Sequence, residues 1–176
     1  VRTQIIDDLE DQPDFVIVGL NKRNPMVFDP YRLNINTGEM TMLAENPGNI
    51  QGWMTDHDGK LRIAMAIVDG INTQLLYRDT EAEEFRPLLT TSFKESMSPE
   101  FFTFDNKKLY ATSNIGRDKS VAVVFDPATA TETEVLFENE DYDLSGLSYS
   151  RKRKVLTAAS YVSWKRERHF FDDQTK

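Results

Sequence analysis

The chain has 176 residues with 21 basic and 29 acidic side chains, a net charge of −8 with both histidines neutral. That balance argues against a nucleic-acid binder, because a phosphate backbone is gripped by an unbroken basic face. Without cysteine there is neither a disulfide framework nor a thiol nucleophile, and two histidines are too few for the usual metal cluster, so no cofactor is expected.

No apolar run approaches the roughly 20 residues of a spanning helix, and no charged-then-apolar leader opens the chain. We therefore expect a soluble acidic piece, with bacterial cytoplasm and periplasm both open and no membrane partner. The opening Val1, and Lys176 inside a turn-like stretch, suggest a segment of a longer protein.

Residues 1–13 read as a lead-in strand or linker. From there a period of about 46 residues governs the chain. The β-rich runs Phe15-Val16-Ile17-Val18, Leu61-Arg62-Ile63-Ala64, Leu109-Tyr110-Ala111-Thr112 and Val155-Leu156-Thr157-Ala158 resemble one another, and Val16, Leu61, Leu109 and Val155 stand 45, 48 and 46 residues apart. The last three follow polar clusters, Asp56 to Lys60, Asp105 to Lys108 and Ser150 to Lys154, as a tight reversal into a strand requires.

A second register recurs after each of these runs. Tyr31 to Asn36, Leu75 to Asp79, Val123 to Asp126 and His169 to Asp172 each end an apolar strand on Asn or Asp, and Asn36, Asp79, Asp126 and Asp172 are 43, 47 and 46 residues apart. Reversals follow the first three, and then the returning strands Met40 to Leu43, Phe85 to Leu89 and Glu134 to Phe137. Asx side chains close such turns by bonding the backbone two residues on. A third register, Gln51 to Met54, Phe101 to Phe104 and Ser145 to Tyr149, precedes each polar cluster.

Four short strands per period, with no amphipathic helix between them, predict an all-β, partial β-propeller of about three to four blades of four antiparallel strands. The repeats fall near 14–59, 60–106 and 107–153, with an incomplete one at 154–176. An open arc of this size exposes the apolar flanks of its end blades, which predicts pairing of two copies through open blade edges.

The chemistry-bearing residues give little sign of catalysis. Gly146-Leu147-Ser148-Tyr149-Ser150 lacks the second glycine of a nucleophile elbow and sits on a predicted strand rather than opening a helix. His57 lies between Asp56 and Asp58 in a turn, and His169 at the start of a strand is expected to serve strand pairing. The acids Glu81, Glu83 and Glu84 suit capture of a substrate's amino terminus, although a solvated hairpin loop explains them as well. Glu138, Glu140, Asp141 and Asp143 match no calcium loop. The basic runs Arg151 to Lys154 and Lys165 to Arg168 are expected to oppose those acids across blades or to face solvent. Trp53, Trp164, Phe101, Phe102 and Phe104, at period two within strands, suit packing between blades better than a ligand pocket. In the polar loop Ser113 to Asp118, Arg117 and Asp118 are the candidates for contact with a neighbouring domain or a substrate carboxylate.

The stretches Tyr31 to Glu39, Asp56 to Arg62, Leu76 to Asp79 and Thr112 to Asp118, joined by Tyr142 to Gly146 and Trp164 to Asp172, resemble the amino-terminal propeller of the prolyl oligopeptidase (S9) family of serine peptidases. The similarity is to the acylaminoacyl-peptidase and dipeptidyl-peptidase-like branch, and it runs from about residue 14 to 173. It implies a non-catalytic segment of a serine peptidase that caps the active site and restricts access to short peptides, with a carboxy-terminal α/β-hydrolase domain of the parent as its partner. The family's amino-terminus-binding glutamates are not carried over, because Glu83 and Glu84 sit in no comparable helical insertion. A stand-alone TolB-like propeller scaffold for protein–protein interaction is the alternative. A carbohydrate-active propeller fits poorly, since the acids concentrate in predicted turns rather than on central strands.

Overall fold

A computed structural model describes all of residues 1–176 as fifteen strands and one single-turn 3-10 helix. The chain divides into two compact units, Val1–Thr90 and Thr91–Lys176. Each holds two antiparallel sheets in which the strands follow chain order.

In unit 1 the first sheet comprises β1 (Thr3–Asp7), β2 (Phe15–Asn24), β3 (Val27–Asn34) and β4 (Met40–Met42). The second comprises β5 (Ile50–Thr55), β6 (Leu61–Val68), β7 (Asn72–Tyr77) and β8 (Arg86–Thr91). In unit 2 the third sheet comprises β9 (Met97–Phe102), β10 (Leu109–Ser113), β11 (Val121–Asp126) and β12 (Thr131–Phe137). The fourth has three strands, β13 (Leu144–Ser150), β14 (Val155–Val162) and β15 (Arg166–Phe170), followed by the 3-10 turn Asp173–Thr175.

Interior strands are the most deeply buried elements. Only β11 is buried and apolar throughout, from Val121 to Phe125; in β6 and β10 one face holds Leu61, Ile63, Leu109 and Ala111 while Arg62 and Thr112 are buried on the other. Proline has no N–H for a ladder; Pro87 and Pro99 lie on edge strands, and Pro30, in the interior strand β3 opposite Gly19, stands just past the end of the short β4.

Two of the polar clusters are Asx-closed reversals, and in the third Ser150 Oγ accepts the Arg153 N–H (3.3 Å). Asp56 Oδ1 accepts the N–H groups of Asp58 (3.0 Å) and Lys60 (2.9 Å), and Asp105 Oδ1 accepts that of Lys107 (3.1 Å). Gly59, Asn106 and Lys154 take positive φ at these turns, and Leu9 does so in the turn between β1 and β2. Because such a turn joins hydrogen-bonded neighbours, the strand before it belongs to the same sheet as the strand after it. The sheets are therefore phased one strand earlier than repeat boundaries near 14, 60, 107 and 154, and residues 3–7 form the first strand of the first sheet, paired with β2.

In the second register, Asn34 rather than Asn36 ends β3. Its Oδ1 accepts the N–H groups of Asn36 (2.9 Å) and Thr37 (3.1 Å). Asp126 plays the same part for Ala128 (2.9 Å).

Candidate functional site

The loop between β7 and β8 carries Glu81, Glu83 and Glu84, and its placement follows from one buried cation. Arg78 donates to the carbonyl oxygens of Leu61 (2.8 Å), Leu43 (3.2 Å), Glu83 (3.3 Å) and Glu81 (3.4 Å), and its guanidinium lies 4.4 Å over the Phe85 ring. Burial pulls the Arg78 guanidinium below its ordinary value, opposed by the charges of Glu81 and Glu84. One planar fork thus ties the end of the first sheet, the start of β6 and the acidic loop together.

Beside it opens a cleft of about 440 Å³ with Leu43, Pro47, Ile50 and Phe85 among its apolar lining and Glu45, Glu83 and Glu84 among its acids. The acids are unequally engaged. Glu81 Oε1 accepts the Leu61 N–H (3.0 Å) and faces Arg32 (3.5 Å). Glu83 is turned onto its own loop, accepting from Thr80 (3.3 Å) and the Asp79 N–H (3.4 Å) and standing 3.8 Å from Arg86. Glu84 is exposed at the cleft.

Behind the loop runs a charged chain. Arg62 pairs with Asp56 (3.3 Å) and donates to the Tyr77 hydroxyl. Tyr77 donates to Asp79 (2.8 Å), and Asp79 is paired with Arg86 (3.0 Å). Burial, then the bond to Asp79, raises the Tyr77 phenol, while that same bond holds the Asp79 carboxyl below the usual carboxylate range. With every member hydrogen-bonded or ion-paired, this chain sets the loop's position.

In unit 2 Arg117 lies in the turn after β10 and pairs with Glu132 of β12 at 2.7 Å, also donating to the Ile115 carbonyl (3.2 Å). Asp118 points outward and pairs with its neighbour Lys119 (3.1 Å). The two candidate residues are adjacent in sequence but differ in setting, one half-buried and bridging to β12, the other in solvent.

A carboxylate that sequence reasoning passed over is Glu100, on β9. Thr112 Oγ1 donates to it (3.5 Å), as does the backbone of Leu147 on β13, and burial raises its pKa above the ordinary glutamate value. Its oxygens lie 3.8 and 3.9 Å from where a Cβ on Gly146 would stand. Acids are therefore not confined to turns. The available signal was a single acid inside the strand-like run Met97 to Phe102.

Ser148 is a strand serine bonded to Thr157 Oγ1 (2.9 Å). His169 pairs in register with Ala159 and stacks on Phe137 at 3.9 Å. Phe101 packs between the third and fourth sheets against Tyr149 (4.4 Å), whereas Trp53 packs within the second sheet against Phe85 (5.7 Å). Trp164 departs from the packing expectation: it stands at the β14–β15 hairpin tip, 85% exposed, because a two-stranded tip projects past any sheet able to cover it. In the basic run of the β13–β14 turn, Arg153 pairs with Asp172 rather than with the acids at 138–143.

No protein-family model matches the chain. It is 29% identical over 141 residues to dipeptidyl aminopeptidase BIII of Pseudoxanthomonas mexicana, covering 76% of this chain and 19% of that protein. The chain resembles an S9-family dipeptidyl aminopeptidase. It spans about a fifth of the length of that relative. Among solved structures it is similar to TolB from Acinetobacter baumannii, with a TM-score of 0.59 and 14% identity over 86% of this chain and 35% of TolB. It is also similar to an oligogalacturonate lyase from Vibrio parahaemolyticus, with a TM-score of 0.51 and 12% identity over 85% of this chain and 42% of the lyase. At such identities the likeness is one of fold, and the fold is an all-β propeller.

Proposed function

We propose that this chain is the non-catalytic propeller segment of a serine peptidase, capping the active site of an α/β-hydrolase domain in the same parent and restricting entry to short peptides. The observation that carries the reading is the 29% identity to a dipeptidyl aminopeptidase over three quarters of the chain. The charged chain around Arg62 and Arg78 supports a positioning role, since its bonds fix the loop that carries Glu83 and Glu84. Selectivity would come from excluding substrates by size, which lowers no chemical barrier. In this reading Arg117, Asp118, Glu83 and Glu84 are contact residues toward the hydrolase domain or the peptide, with Asp118, Glu83 and Glu84 exposed and Arg117 half-buried.

Two measurements test it. The purified 176-residue chain is expected to show no turnover of aminoacyl or dipeptidyl arylamides above blank. The coding frame beyond Lys176 is expected to contain Gly-x-Ser-x-Gly followed by Asp and then His. Turnover by the chain itself overturns the reading, as does a frame that closes without that ordered set; the latter result favours a TolB-like scaffold.

A further inference from the structure

One end of unit 2 carries opposite charges side by side. The acidic segment 138–143 runs into β13, whose first residue, Leu144, pairs with Tyr161 near the end of β14. Tyr142 stacks on Tyr161 at 6.1 Å with ring planes 16° apart. The acidic segment and the β14–β15 tip therefore emerge together.

At the tip, Trp164 is 85% and Val162 54% exposed, and Lys165 Nζ lies 4.9 Å over the indole. Arg166 and Arg168 project into solvent beside them, as do Glu138 and Glu140 on the acidic segment. The tip is braced: Ser163 Oγ donates to Glu167 (2.7 Å) and Ser163 N–H to the Lys165 carbonyl (2.9 Å). Arg166, Arg168, Glu138 and Glu140 form no ion pair within the chain.

A surface with a positive half adjoining a negative half is complementary to itself under a twofold rotation. The basic tip of one copy then lies over the acidic segment of the other, twice, and Trp164 is removed from water against the exposed Tyr142 and Val162 of the second copy. Tryptophan and arginine are the residues that most often carry binding energy at such contacts. We propose that this end of unit 2 mediates a symmetric, salt-sensitive dimer of the chain. The contact is small, so the dimer is weak and electrostatically specified. It is distinct from pairing along open sheet edges, and it does not depend on the peptidase reading.

Sedimentation equilibrium of the full chain tests the proposal. We expect dimer at about 100 µM and low salt, weakened about tenfold or more as salt rises from about 0.05 M to about 0.5 M. Trp164→Ala is expected to weaken association by at least about tenfold. Arg166→Glu with Arg168→Glu should abolish it, as should Glu138→Lys with Glu140→Lys, and the four substitutions together should restore it to within about threefold. That restoration separates a specific contact from misfolding of a variant. A chain that stays monomeric at every salt concentration overturns the proposal. So does a dimer indifferent to salt and to Trp164→Ala, which marks association through sheet edges, or a charge-swapped variant that fails to recover.

Discussion

The side chain of Leu9 occupies the space above the Gly59 Cα where a Cβ would stand, with Leu9 Cδ2 inside contact distance of that position. Both residues belong to reversals between the first and second strands of their sheets, and both have positive φ. Leu9 is only 2% exposed, so the turn of the first sheet is plugged into the turn of the second.

Gly59→Ala therefore meets two costs, a left-handed backbone with a Cβ and a displaced Leu9. We expect a loss of about 2–3 kcal/mol in urea unfolding. Gly38→Ala, at φ +76° with open space around it, should lose only about 1 kcal/mol. Adding Leu9→Ala to Gly59→Ala tests the contact itself, because the two losses should then fall short of additivity. Equal losses at Gly38 and Gly59 would show that Leu9 gives way without cost.

Glu100 is held above its ordinary pKa by burial, so the folded state binds its proton more tightly than the unfolded chain does. Its ionisation thus removes stability as pH rises from the ordinary glutamate value through the raised folded one. Glu100→Gln keeps an acceptor for Thr112 and Leu147 without the charge. The variant is expected to be more stable than the parent at pH 7 and indistinguishable from it near pH 3, as read by urea unfolding at both values. A variant less stable at pH 7 would show that the bonds to the carboxylate outweigh its desolvation.

Arg117 and Glu132 form a close pair, and Glu132 Oε1 is buried without a hydrogen-bond partner. Removing the guanidinium strands that carboxylate further. Arg117→Ala should cost about 1–3 kcal/mol, and Glu132→Gln less. Asp118→Ala should leave stability unchanged. If Asp118→Ala instead alters peptide-length selectivity in a peptidase parent, Asp118 is the contact residue of this loop and Arg117 its support.

The repeat was legible in the sequence because alternation and Asx-closed turns are local. Asp56, Asp105 and Asp126 bond backbone two residues away, so their positions alone marked where strands reverse. The phase of the sheets was less legible. A strand such as Gln51 to Met54 looks like the end of one repeat until its hydrogen bonds to β6 place it at the start of the next sheet. The site was legible only by residue type. Nothing local distinguishes Glu83, folded back onto its own loop, from Glu84, left in solvent three bonds of backbone away.

Composition and charge spacing by themselves determined an acidic all-β chain without thiol chemistry, built on a period near 46 residues. Tertiary structure decided which charges are spent. Arg78 is consumed by four carbonyl oxygens drawn from three separate segments, Glu100 is desolvated between β10 and β13, and Trp164 is left uncovered at a hairpin tip. These outcomes depend on contacts between residues tens of positions apart, and a side chain's burial and partners are properties of those contacts rather than of its neighbours in the chain.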